Sequence, residues 1–253
     1  MNRRKFLNRS TLVLGGALGA STLLGKACVV PATQQAMAEI PVARFYGRQT
    51  REKQLIDRLT QAGFPIGARM HLMAFKETSE MEIWLQKRNG KFFLFDVLPI
   101  CAFSGSLGPK LAEGDRQTPE GYYYIWPQNL YPDSAYHLAL GIGFPNTVER
   151  RRGWTGSLIR IHGSCQSIGC YSMGDRGVET IYLLAEQSFK LGKRFVTFAA
   201  YPFRPTARRL AQEEGHVWYD FWNNLAGSYR QFMRTRRRPE VFHVGTRYLF
   251  QTL

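Results

Sequence analysis

The sequence predicts an α+β protein, mainly β with helices packed on it. Three observations lead there. Beyond about His71 the apolar residues recur with a period near two, as half-buried strands require. The pair Asn89-Gly90 separates two apolar-rich runs, 81–88 and 91–98, and is the strongest short signal for a hairpin. One stretch, 178–189, instead carries Ile181, Tyr182 and Ala185 on a single helical face, with Gly192 past its end.

Along the chain, residues 1–38 open with Asn2-Arg3-Arg4-Lys5-Phe6-Leu7, run uncharged from Ser10 to Leu24, and close on Ala36-Met37-Ala38. A basic start, a short apolar middle and a small-x-small site are the parts of an export signal cleaved after Ala38. The arginine pair resembles a twin-arginine signal, and the apolar run is short for a bilayer span. Residues 39–69 form a helical lead-in, with Leu55, Ile56 and Leu59 at helical spacing before Gly63 and Pro65. Residues 70–203 hold the β core, with further strands at 121–126, 136–142, 157–162 and 194–201 joined by Gly-, Pro-, Asn- and Asp-rich turns. Residues 204–253 read as a basic, helical extension over 206–237, ending before Pro239, with a strand-like piece at 247–250.

Charge narrows the function. The 253 residues carry a formal charge of +15, and five of the positive charges lie within 1–38, leaving about +10. A basic exported protein suits an anionic surface or polymer. Nucleic acid is disfavoured by the export signal and by a run, Arg234-Thr235-Arg236-Arg237-Arg238, without interleaved aromatics.

The densest chemistry lies in Ile161-His162-Gly163-Ser164-Cys165-Gln166-Ser167-Ile168-Gly169-Cys170-Tyr171. Export leaves three cysteines where disulfides persist, and the simplest accounting pairs Cys101 with Cys165 and frees Cys170. A structural zinc site is a poor fit, because Cys165 and Cys170 stand five apart with scattered histidines as further ligands. A serine hydrolase lacks its Gly-x-Ser-x-Gly elbow. A buried thiol with a core histidine is the plain alternative, weakened by Gly163 and Gly169, which put both groups in a loop. A cysteine nucleophile needs a cation, a helix N-terminus or a base beside it. The helix expected near Gly177 starts too far on, which leaves His162 as the base, with Gly169 and the Cys170 amide placed for an oxyanion.

The segment is similar to the active-site signature of the YkuD-type L,D-transpeptidases, cysteine enzymes of the bacterial cell wall, and most of all to their YafK-like subgroup. His162-Gly163 matches the His-Gly at a strand end, and Ser167-Ile168-Gly169-Cys170 the later Ser-His-Gly-Cys. Ser104-Gly105, Gly108-Pro109-Lys110, the run from Gly114 to Gly121, Tyr136-His137-Leu138, and Gly143-Phe144-Pro145-Asn146 agree in order, so that the resemblance spans 70–203. It departs at Ile168, where the signature has histidine, and at Tyr171-Ser172, where an arginine often stands; Arg116 or Arg160 is available in its place.

The resemblance implies a YkuD-like β-sandwich and an enzyme without metal or organic cofactor. It implies Cys170 as nucleophile, His162 as proton donor and acceptor, backbone groups of Gly169 and Cys170 at the oxyanion, and His137, Gly163, Ser167 and Tyr171 along a substrate groove. The substrate implied is a diaminopimelate-containing peptidoglycan stem peptide, acylating the enzyme as a thioester in the periplasm or cell wall. Two alternatives accompany it: a hydrolase releasing a wall-linked lipoprotein, and a non-catalytic wall-binding module, motivated by Ile168 and Ser172. Asp175 is expected to cap the following helix.

Overall fold

The computed structural model describes residues 32–251, with side chains from residue 47 onward, so the export signal read in the sequence lies largely outside the described residues. Of the described residues, 32–47 belong to one unit and 48–251 to another. Helix α1, Ala32–Gln61, begins well before the 49–62 expected from spacing. Its part beyond Arg48 is fixed to the second unit by buried Leu55 and Leu59 and by ion pairs Arg48–Glu186, Arg51–Glu179 and Arg58–Asp96.

The second unit is built on two sheets. Strands β1 (Met70–Phe75), β2 (Glu80–Gln86), β3 (Phe92–Pro99) and β4 (Gly121–Ile125) are followed by β5 (Leu130–Ser134), β6 (His137–Gly141) and helix α2 (Thr147–Arg151). Next come β7 (Arg160–His162), β8 (Tyr171–Ser172), α3 (Gly174–Lys190) and β9 (Val196–Tyr201). Helices α4 (Ala207–Ala211) and α5 (Tyr219–Thr235) lead to a hairpin of β10 (Glu240–Val244) and β11 (Arg247–Gln251). The larger sheet has the order β3-β2-β1-β9-β4 and the smaller β5-β6-β7-β8. Together with the packed helices this is the α+β architecture expected from the sequence.

Strand β1 shows why the larger sheet sits at the centre. All six of its residues are buried. Its side chains alternate between two cores: Met70, Leu72 and Ala74 face one that includes α3 and the smaller sheet, Met73 and Phe75 one that includes α5. A strand covered on both faces reads as an unbroken apolar run rather than an alternation. Helix α5 is held by Phe221, Trp222, Leu225, Ala226, Tyr229 and Phe232, spaced three and four apart on its buried face.

Differences from the sequence reading concern short elements. Strand β7 begins at Arg160, not Ser157, because Leu158 adopts φ +55°, which breaks an extended run. Helix α3 starts at Gly174, ahead of the expected Gly177. Asp175 does not cap it: Met173 occupies the N-cap, and the Asp175 carboxylate accepts from the Ser164 N–H at 2.8 Å. The extension ends in a full hairpin, of which only the second strand was legible.

Candidate active site

Parallel pairing of β7 with β8 sets Ile161 beside Tyr171 and His162 beside Ser172. Continued one residue back, that register puts Cys170 beside Arg160, on the strand face that also carries His162. The loop between the strands is tied down at several points. A disulfide joins Cys165 to Cys101, the Asp175 carboxylate holds Ser164, and Ala102 bridges Ser172. Gly169 takes φ +136°, a conformation L side chains rarely adopt, and Ile159 Cδ1 lies 3.2 Å from where a Cβ would stand.

His162 and Cys170 line one cleft of about 680 Å³, together with Lys110, Arg116, Arg160 and Ser167. Two apolar side chains also line it and stand far out in solvent, Leu158 at 74% exposure and Ile168 at 81%. Its polar lining thus holds three cations beside Glu113 and neutral groups such as Gln166 and Ser157, and aliphatic groups mark its outer part. Among the described residues no group of three or more His, Cys, Asp or Glu is placed to hold a metal ion.

The imidazole is oriented by its own neighbour. His162 Nδ1 lies 2.6 Å from the Gly163 carbonyl, which can only accept, so Nδ1 carries the hydrogen and the neutral ring presents a bare Nε2. The Tyr136 ring lies against it, centroids 4.8 Å apart. Burial pushes the His162 pKa below its ordinary value; the Gly163 carbonyl pulls the other way, and the Arg160 charge adds to the lowering. The ring is thus neutral at neutral pH.

The thiol rests protonated. Burial raises the Cys170 pKa, opposed in part by the Arg160 backbone and by the charges of Arg160 and Lys110. Its Sγ donates to the Leu158 carbonyl at a long 3.8 Å and makes no hydrogen bond to His162 in this state. His162 and Cys170 thus line one cleft with no hydrogen bond between them.

The backbone at Cys170 is turned with its carbonyl inward. That carbonyl accepts from Ser167 Oγ at 2.8 Å and Thr118 Oγ1 at 3.2 Å. Gly169 N–H donates to Ser167 Oγ, whereas no described residue accepts from Cys170 N–H. Of the two backbone groups expected at the oxyanion, the Cys170 amide is therefore the available one.

Comparison with known proteins bears on this arrangement. The chain is 36% identical over 184 residues to YafK of Escherichia coli strain K12, which its name assigns provisionally to the L,D-transpeptidases; the match covers 73% of this chain and 74% of that one. The same values hold for YafK of E. coli O157:H7. The chain belongs to the YafK-like L,D-transpeptidases. Family models give no match. Among solved structures, it is similar to the helical cell shape determining protein Pgp2 of Campylobacter jejuni, as the K307A mutant, with TM-score 0.45 and 18% identity over 72% of this chain and 66% of that one. L,D-transpeptidase 1 of Mycobacterium tuberculosis gives TM-score 0.30 and 10% identity over 53% of this chain and 62% of that one.

Within this YafK-like L,D-transpeptidase, the groove residues expected from the sequence separate into two groups. Ser167 lines the cleft. Tyr171 does not: it is fully buried, its hydroxyl donating to the Pro119 carbonyl, because the alternation that turns Cys170 outward turns its neighbour into the core. His137 sits at φ +72° with Nε2 2.7 Å from Glu179 on α3 and is not among the residues lining the cleft; Tyr136, beside it, is. Gly163 lies behind the imidazole, where a Cβ would fall 2.6 Å from the Tyr136 carbonyl. Arg116 and Arg160, the candidates for the missing arginine, both reach the cleft. Lys110 was not singled out as a cleft residue; its ion pair with Asp115 holds it there.

Proposed function

We propose that this protein is a cysteine acyltransferase that opens peptidoglycan stem peptides through a thioester. The reading is supported by His162, whose Nδ1 is held by the Gly163 carbonyl so that Nε2 is left to accept a proton, lining the same cleft as the Cys170 thiol. In the reaction Cys170 Sγ leaves the Leu158 carbonyl for hydrogen-bond reach of Nε2. His162 takes the proton as the sulfur attacks the carbonyl of the diaminopimelate residue, and the Cys170 N–H receives the oxyanion. Collapse of the tetrahedral adduct breaks the amide bond; the proton on His162 passes to the departing D-alanine nitrogen, leaving the acyl group on sulfur. An incoming amine then gives its proton to His162 and takes the acyl group, forming a cross-link or a protein attachment. Arg116 and Arg160 suit the carboxylates of such a peptide. The enzyme acts outside the cytoplasmic membrane, in the periplasm or wall, as the N-terminal pattern suggests.

Incubation of tetrapeptide muropeptides with the wild type and Cys170→Ala, followed by mass spectrometry, tests the reading. Release of D-alanine with cross-linked dimer is the result expected, and equal turnover by both proteins overturns it. Product formed only from sacculi bearing attached lipoprotein assigns the hydrolytic role instead. Binding to sacculi with no turnover of any kind assigns the wall-binding role.

A further inference from the structure

Away from the cleft, the C-terminal hairpin presents an unusual surface. Register pairs Phe242 with Leu249 and Val244 with Arg247, so these four side chains share one face, with Glu240 and Gln251 at its end. The opposite face, with Val241, Tyr248 and Phe250, packs into the core beneath α5. On the outer face Phe242 is 45% exposed, Val244 62% and Leu249 44%. A two-stranded edge of this kind is normally charged or covered.

Cations adjoin it. A groove of about 490 Å³ runs between β11 and α5, lined by Arg230, Arg234, Arg247, Leu249 and Asn223 among others. None of the three arginines has an acidic partner among the described residues; Arg230 makes only long contacts to Asn223. The hairpin is also held in place. Arg151 donates to the His243 and Gly245 carbonyls and Arg152 to that of Thr246, so the turn is presented in a fixed position.

We infer that this surface docks on an anionic phospholipid bilayer. Phe242, Val244 and Leu249 enter the headgroup layer, and Arg230, Arg234 and Arg247 meet the lipid phosphates. The combination selects the occupant by charge and polarity together. A glycan or a soluble polyanion would pair the arginines but leave the three apolar side chains in water. A second copy docked face to face would set arginine against arginine. A bilayer of anionic lipid satisfies both groups at once. Docking there would keep the enzyme beside the membrane while its cleft, built on other strands, works on the wall.

Co-sedimentation of the full chain with vesicles tests this, comparing phosphatidylcholine alone with phosphatidylcholine mixed with phosphatidylglycerol. Wild type should bind the anionic vesicles, more weakly as salt rises. Each neutralised arginine should cost about fivefold in affinity, so R230Q/R234Q/R247Q should lose about a hundredfold. These exposed substitutions leave the fold intact, which circular dichroism checks, and Cys170→Ala should bind as wild type does. Phe242→Ser with Leu249→Ser should weaken binding even at low salt. Undiminished vesicle binding by the arginine variant overturns the inference. So does capture by lipid-free sacculi with the same residue dependence, or a dimer in solution that Phe242→Ser with Leu249→Ser dissociates.

Discussion

Lys76 and Glu120 form an ion pair 2.9 Å long in which both side chains are wholly buried. Lys76 Nζ also donates to the carbonyls of Gly108 and Thr118, and Glu120 accepts from Gly108 N–H and from Trp222 Nε1. The pair thereby ties β1 and α5 to the segment 104–118, whose Thr118 hydroxyl supports the Cys170 carbonyl. Removing one partner strands the other charge in the core. Lys76→Met is expected to destabilise the fold by about 3–5 kcal/mol in urea unfolding, and replacing both residues by apolar ones to recover much of that loss. Activity of Lys76→Met, measured below its melting range, should fall as well, because the loop over the cleft loses its anchor.

The resting state of the pair at the cleft predicts a pH profile. His162 loses its proton below the ordinary 6.5 and Cys170 above the ordinary 9.0, so both are neutral in between. kcat/KM should therefore rise with pH through a midpoint below about 6.5 and stay level through neutrality. A pre-formed thiolate–imidazolium pair would instead lose activity as the imidazolium deprotonates, giving a descending limb near neutral pH. His162→Gln, which keeps the ring's approximate volume but cannot accept and return a proton, should lower kcat by about 10²–10⁴-fold.

The disulfide predicts a link between redox state and site geometry. Cys101 and Cys165 are 64 residues apart, and closing a loop of that length stabilises the fold by about 4 kcal/mol in the chain-entropy view. Cys165 lies in the loop that carries Ser167 and Cys170. The double variant Cys101→Ser, Cys165→Ser should melt lower and turn over more slowly, whereas its pH midpoint, set by the burial of His162 and its bond to the Gly163 carbonyl, should not move.

How much of this was legible in the sequence depends on the range of the interaction. His162 and Cys170 stand eight residues apart in a glycine-flanked loop, so their motif survives as local spacing. The Asn89-Gly90 turn and the face of α3 were legible for the same reason: period and turn chemistry are local. Tyr171 and His137 were misplaced because strand alternation and a left-handed backbone, not residue type, decide where they go. Lys76 and Glu120 carried no signal, since their pairing joins positions 44 apart through a sheet whose order cannot be read from the chain. Strand β8 was missed because two residues are too few to show any period.

Two buried groups with opposite displacements shape the stability of the fold against pH. His71, fully buried with Nδ1 2.8 Å from Thr197 Oγ1, is pushed by desolvation from 6.5 to about 3, with the Arg238 charge acting the same way. Between those values the unfolded chain holds a proton that the folded one refuses, so stability is full above 6.5 and is lost as pH falls towards 3. Glu149, hydrogen-bonded to Tyr123 and to Asn146 N–H, is pushed by burial from 4.5 to about 8. Here the folded chain keeps a proton that the unfolded one has released, so stability is full below 4.5 and is lost as pH rises towards 8. Each slope is about 1.4 kcal/mol per pH unit, and they cancel where the windows overlap, between 4.5 and 6.5. Urea midpoints measured across pH should show Glu149→Gln losing the decline above 6.5 while keeping the acid one. His71→Gln should lose the acid decline alone. A Glu149→Gln protein whose stability still falls between pH 6.5 and 8 as steeply as wild type would mean that Glu149 is ionised in the folded state.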